Sequence, residues 1–190
     1  VDTNDNFSWG LALSSDGNTL AVGSHYEDSS ALGIGGDPSN NARINSGAVY
    51  VYTRSGSTWS QQEYIKSSNA DGGDEFGWSV ALTEDGNTLA VGARLESSAA
   101  TGINGNQGSN GAASSGAIYL FSRSGATWTQ DTYVKASNTG SGDHLSHGLA
   151  ISADGNRLAA SADAEDSSAQ GIGGNQADGS ASAAGAVYVY

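Results

Sequence analysis

The sequence predicts an all-β chain built from repeated sheets of four antiparallel strands, and three observations lead to that class. The first is a period. FSWGLALSSDGNTLAVGS at Phe7 recurs as FGWSVALTEDGNTLAVGA at Phe76 and as LSHGLAISADGNRLAASA at Leu145, each time 69 residues on, with no insertion or deletion. GAVYVY at Gly47 recurs in step as GAIYLF at Gly116 and GAVYVY at Gly185. The second is turn chemistry: Asp16-Gly17-Asn18, Asp85-Gly86-Asn87 and Asp154-Gly155-Asn156 interrupt apolar runs, which is a short-range signal for a hairpin. The third is composition, because 28 Gly and 37% apolar residues suit short strands joined by many turns rather than long helices.

Within one repeat the strands fall in order. Phe76 to Leu82 and Thr88 to Ala93 flank the turn Glu84-Asp85-Gly86-Asn87. Ala117 to Arg123 then runs through Ser124-Gly125-Ala126 into a fourth strand, Trp128 to Ala136, and Gly in each turn supplies the backbone freedom that a reversal needs. In the third strand Ala48, Tyr50 and Tyr52 face one way and Val49 and Val51 the other, so the sheet is apolar on both faces. Such a sheet belongs between two others. A sandwich would leave one face wet, and solenoid coils are usually shorter, so blades of a β-propeller are the expected architecture. Residues 1–190 read as one propeller segment with repeats at 7–75, 76–144 and 145–190. The last stops at Tyr190, where a fourth strand is due. About three blades of a larger ring would leave open edges, which further blades of the same protein or other copies of the chain are expected to cover.

At these residues the sequence resembles the FG-GAP family, the repeats of the integrin α-subunit propeller and of many bacterial secreted proteins. Phe76-Gly77 matches the FG element, Val91-Gly92-Ala93 the second element, with Arg94 where the family often has Pro, and Gly116-Ala117-Ile118-Tyr119 the strand that follows. The resemblance implies a propeller of about seven blades and an extracellular or cell-surface setting. It also implies a calcium loop between the first two strands, but this chain has only the tight SSDGNT, TEDGNT and SADGNR turns there.

Charge limits the partners. With 20 acids against 7 bases, a formal charge of -13 repels phosphate, so nucleic acid is not expected to bind. No apolar run is long enough to span a bilayer, and no membrane insertion is expected. The absence of Cys removes disulfides, thiolate metal sites and a Cys nucleophile.

Strand connectivity sorts the remaining acids. Most of them, Asp71, Asp74 and Asp143 included, fall on the rim that carries the connections from strand two to three and from strand four to one. The opposite rim holds only Asp16, Glu84, Asp85 and Asp154, and in the turns these acids read as hairpin formers. The connection between strands two and three is long for a compact domain. In it Glu27-Asp28, Glu96 and Glu165-Asp166 each precede a Gly-Ile-x-Gly segment, followed by Asp37, Asn106 and Asn175. Hard oxygens of this kind suit Ca2+, so Glu27, Asp28, Asp37, Glu96, Asn106, Glu165, Asp166 and Asn175 are candidate ligands. The plain alternative is a solvated loop.

His25, His144 and His147 share no repeat position, and His147 stands where Trp9 and Trp78 stand. Packing or surface roles are expected for them. Trp59 and Trp128 open the fourth strands and are expected to cover the outer side of each blade. The functional expectation is a noncatalytic extracellular binding, adhesion or structural module with a protein or polysaccharide ligand on the long-loop rim. The alternative is part of a carbohydrate-binding or lyase-type polysaccharide-degrading propeller, in which His25, Tyr26, Arg43 or Arg94 would cluster in a pocket.

Overall fold

The structure, a computed structural model, describes residues 2–190. These contain no helix, and so none long and apolar enough to cross a membrane. The first sheet comprises β1 (Leu11–Leu13), β2 (Thr19–Ser24), β3 (Ala48–Ser55) and β4 (Thr58–Ile65). The second comprises β5 (Phe76–Leu82), β6 (Thr88–Ala93), β7 (Ala117–Ser124) and β8 (Thr127–Val134). β9 (Leu145–Ile151), β10 (Leu158–Ala162) and β11 (Ala186–Val189) form the third. Every sheet is an open antiparallel meander in sequence order, as expected of partial propeller blades.

The two-faced pattern has the predicted consequence. Val49, Val51 and Ile65 of the first sheet pack against Phe76, Leu89, Val91, Tyr119 and Phe121 of the second. The opposite face of the second sheet, Ala90, Ile118 and Val134, packs against Leu145, Leu158 and Ala160 of the third. Fully burying a large apolar side chain contributes about 1.5–3 kcal/mol, so these two seams supply most of the drive to stack. Trp128 is part of the first seam, where it is buried and its Nε1 donates to Gln62 Oε1 at 3.0 Å. The expectation that Trp128 covers the outer side of its blade is therefore corrected: the residue fills the space between neighbouring sheets. Trp59, whose face of the first sheet carries no neighbour among the described residues, is 41% exposed.

Backbone contacts register one sheet on the next. Phe76 N donates to Ser46 O at 3.1 Å and Leu145 N to Ser115 O at 2.9 Å, next to the parallel bridges Gly47↔Phe76 and Gly116↔Leu145. β1 starts at Leu11 whereas β5 starts at Phe76. On the rim of the tight turns, Ser15 N donates to Glu84 O at 3.0 Å and Glu84 N to Ala153 O at 3.1 Å, linking the three hairpins. Asp85 Oδ1 accepts from Thr83 Oγ1 at 2.7 Å and from Asn87 N at 2.9 Å, the geometry of a hairpin former. At Asp16 and Asp154 the same bonds, from Ser14 and Ser152 hydroxyls first and then the backbone, lower the carboxyl pKa to about 2.

Candidate functional site

The long loops fold back onto the strand that ends their sheet. Gly35 N donates to Tyr64 O at 2.9 Å and Lys66 N to Gly33 O at 2.7 Å, so the Gly-Ile-x-Gly segment bridges Ile34 to Ile65, and likewise Ile103 to Val134. Beneath each of the first two loops lies a buried lysine. Lys66 Nζ donates to Glu27 Oε2 at 2.7 Å and Ser46 Oγ at 2.6 Å. Lys135 Nζ repeats this on Glu96 Oε2 at 2.9 Å and Ser115 Oγ at 2.6 Å, and both ammonium groups are fully buried. Burial pushes both lysine pKa values down while the glutamates pull them back up.

The other candidate ligands organise the loops. Asp28 Oδ1 accepts from Asn45 N at 2.7 Å and Asp166 Oδ1 from Ala183 N at 2.8 Å. Asp37, Asn106 and Asn175 each accept a backbone N–H two residues on, from Ser39, Gly108 and Ala177, a turn that Asp and Asn favour. Glu165 accepts from Ser167 N at 3.0 Å. No three acidic or histidine side chains among the described residues gather in a metal-holding arrangement. In each of the first two repeats one Glu oxygen is held by an ammonium, while Oδ1 of Asp28, Asp37, Asp166, Asn106 and Asn175 accepts a backbone amide hydrogen. The lysines were legible as IKSSN and VKASN at one repeat position, but nothing local pairs them with a glutamate 39 residues earlier.

A second cluster lies where the inner strands begin, and it is made of residues that break the repeat. Trp9, Trp78 and His147 occupy one repeat position, His25, Arg94 and Asp163 another, and Asn6, Glu75 and His144 a third. The Trp9 and Trp78 ring centroids are 5.0 Å apart, with His25 4.8 Å from one and 5.1 Å from the other. The Tyr26 ring lies tilted against His25, with centroids 4.0 Å apart. Arg94 lies 4.8 Å over the Trp78 ring, and its guanidinium donates at 3.2 Å to Nδ1 of both His147 and His144. The Asp163 carboxylate sits 3.7 Å from Arg94, 3.4 Å from His144 and 3.3 Å from His147.

Environment sets the charges here. Burial lowers the His25 pKa to about 4, leaving it neutral at pH 7. His144 is also lowered, by burial first and then by Arg94. Burial raises Glu75, against the pull of Arg94. Asn6, Glu75 and His144 all have φ between 52° and 58°, a left-handed backbone that non-glycine residues adopt at some cost. Of the four residues expected to form a pocket, His25 and Tyr26 touch each other, and His25 and Arg94 both lie against Trp78. Arg43 does not join them: its guanidinium donates to Ala70 O under the long loop. Trp9, Trp78, His144, His147 and Asp163 complete the cluster, and the signal for them was the break in the repeat itself.

Residues 59–121, from β4 through β7, match the family model described as FG-GAP repeat. No curated protein matches the chain. Over that third of the chain the sequence is similar to an FG-GAP repeat, and the open, stacked antiparallel sheets are consistent with partial propeller blades.

Proposed function

We propose that this is a noncatalytic binding module of an extracellular or cell-surface protein, acting in adhesion or structure, which takes a protein or polysaccharide partner at the aromatic and charged cluster around Trp78 and Arg94. One observation carries the reading. Strand and turn residues repeat, whereas His25, Arg94 and Asp163 differ in every repeat, the Trp9/Trp78 position becomes His147 in the third, and these residues converge in space. A scaffold kept uniform for folding and varied at one place suits recognition, and exposed Trp with Arg and His offers stacking surface and hydrogen-bond donors.

An array of neutral and acidic glycans and of immobilised extracellular proteins tests it. Trp9→Ala and Arg94→Ala are expected to weaken any captured partner by about ten-fold or more, while Arg157→Ala on the opposite rim leaves it unchanged. Equal binding by all three variants refutes the assignment. The gathering of Arg94 with His144 and His147 favours one second reading, a polysaccharide lyase. Incubation with acidic polysaccharides reads it directly through the appearance of unsaturated chain ends.

We read the long loops as closed by ammonium and amide donors rather than by calcium. EDTA is then expected to leave the thermal midpoint unchanged; a lowered midpoint, restored by added Ca2+, would assign the metal to the folded form.

A further inference from the structure

Positive charge is scarce on this chain, and its placement is uneven. Of the seven bases, Lys66 and Lys135 are buried on glutamates and Arg43 is turned onto Ala70 O. Arg54, Arg123 and Arg157 hold the tight turns through Gly17 O, Asn87 Oδ1 and Asn156 O. Arg94 is the base that stands with the histidines, and all three histidines gather around it and Trp78. Among the described residues, the seam between the second and third sheets is where protonation can build a cationic patch on a chain of formal charge -13.

The hydrogen bonds there have two mutually exclusive arrangements. Nδ1 of His147 lies 3.2 Å from Arg94 Nε and 3.3 Å from Asp163 Oδ2. Nδ1 of His144 lies 3.2 Å from Arg94 Nη2 and 3.4 Å from Asp163 Oδ1. A bare Nδ1 accepts from the guanidinium; an Nδ1 that carries a proton donates to Asp163 instead and turns the guanidinium away, and an imidazolium always carries one there. Neutral histidines thus occupy Arg94, whereas charged ones occupy Asp163 and leave the guanidinium donors free.

We propose that Arg94, His144, His147 and Asp163 form a proton-linked anion site, which seats a carboxylate or sulfate group of an acidic polysaccharide on the guanidinium and the two imidazoliums and holds it more tightly as the pH falls. This rests on the reading of the cluster around Trp78 as the binding surface. The Arg94, His144 and His147 side chains are 20%, 24% and 45% exposed, so a ligand reaches them. Arg94 lies 4.8 Å over the Trp78 ring, and His147 lies 5.9 Å from it. One anion site flanked by ring faces matches an acidic sugar, whose charge is carried on a ring with an apolar face.

The neighbouring charges act in the same direction. Burial first, and then Arg94, hold His144 below the ordinary imidazole value while Asp163 pulls it back up; an arriving anion acts as Asp163 does, so anion and proton bind cooperatively. Glu75, beside Arg94, and Asp143, beside His144, are the other titratable groups against the four. Burial raises both carboxyls, so they give up negative charge early as the pH falls.

The test titrates the full chain calorimetrically with polygalacturonate, dextran sulfate and neutral dextran at about pH 5 and about pH 7.5, on either side of the ordinary histidine value, at one ionic strength. At least one acidic polymer is expected to bind about ten-fold or more tightly at the lower pH, and which one does so identifies carboxylate or sulfate as the group. His144→Gln combined with His147→Gln is expected to remove most of that pH step. Asp163→Asn is expected to strengthen binding at the higher pH, a gain that a misfolded chain cannot give. An equal pH step in the parent and the double-histidine variant overturns the proposal, because general loss of carboxylate charge then accounts for it. No gain from Asp163→Asn, neutral dextran binding as well as the acidic polymers, or no binding of either acidic polymer overturns it too. If neither acidic polymer binds but poly-glutamate or another captured partner does, and Arg94→Ala weakens it, the cluster remains a binding surface and only the acidic-polysaccharide assignment falls.

Discussion

Lys135→Met is expected to lower the unfolding free energy by about 3–5 kcal/mol. The ammonium is fully buried against Glu96, itself only 1% exposed, so the variant leaves a carboxylate in a dry seam with its main partner gone. Water cannot compensate it there. The asymmetry between breaking a buried pair and replacing it predicts the second half of the result. Lys135→Met combined with Glu96→Gln removes both charges and keeps an acceptor for Asn69, so it is expected to recover more than half of the loss. Urea denaturation of the single and double variants measures both effects. A single variant within about 1 kcal/mol of the parent would mean that the pair behaves like a surface salt bridge.

Gly116→Ala is the second large effect, expected to cost about 3 kcal/mol or more. A Cβ on Gly116 would stand 2.2 Å from Leu145 O and 2.4 Å from Leu145 N, on a backbone with φ of 80°. The obstacle is main chain in the adjacent sheet, which cannot move without breaking the Gly116↔Leu145 bridge. Gly47→Ala meets Phe76 O at 2.0 Å in the same way. Gly125→Ala provides the comparison: φ is 63° but nothing lies within 4 Å, so only the left-handed penalty of roughly 1–2 kcal/mol applies. If thermal denaturation shows Gly116→Ala and Gly125→Ala losing the same stability, the seam is looser than its geometry implies.

Much of the fold was legible because its determinants are local. The Asp-Gly-Asn turns and the alternating apolar residues place β5 and β6 at the residues where they occur, Phe76–Leu82 and Thr88–Ala93. The fourth strand ends at Val134 instead of Ala136, because Lys135 N is taken by Gly102 O of the folded-back loop. The direction in which Trp128 faces was not legible, since Gln62 of another sheet decides it. The candidate site was legible only as a set of exceptions to the repeat. Arg94, His144 and His147 are ordinary polar residues in the sequence until the end of β6 and the start of β9 are set side by side.

By itself the sequence determined the period, the strands, the turns and the fact that each sheet must be covered on two faces, because these follow from residue spacing and backbone conformation. Only the tertiary structure decided what the acids do. Glu27 and Glu96 read as candidate metal ligands when counted among loop residues, and the fold sets them against the ammonium groups of Lys66 and Lys135, 39 residues later in the chain. A carboxylate's role depends on which opposite charge or donor shares its desolvated space, and that neighbour is chosen by how the chain folds back on itself.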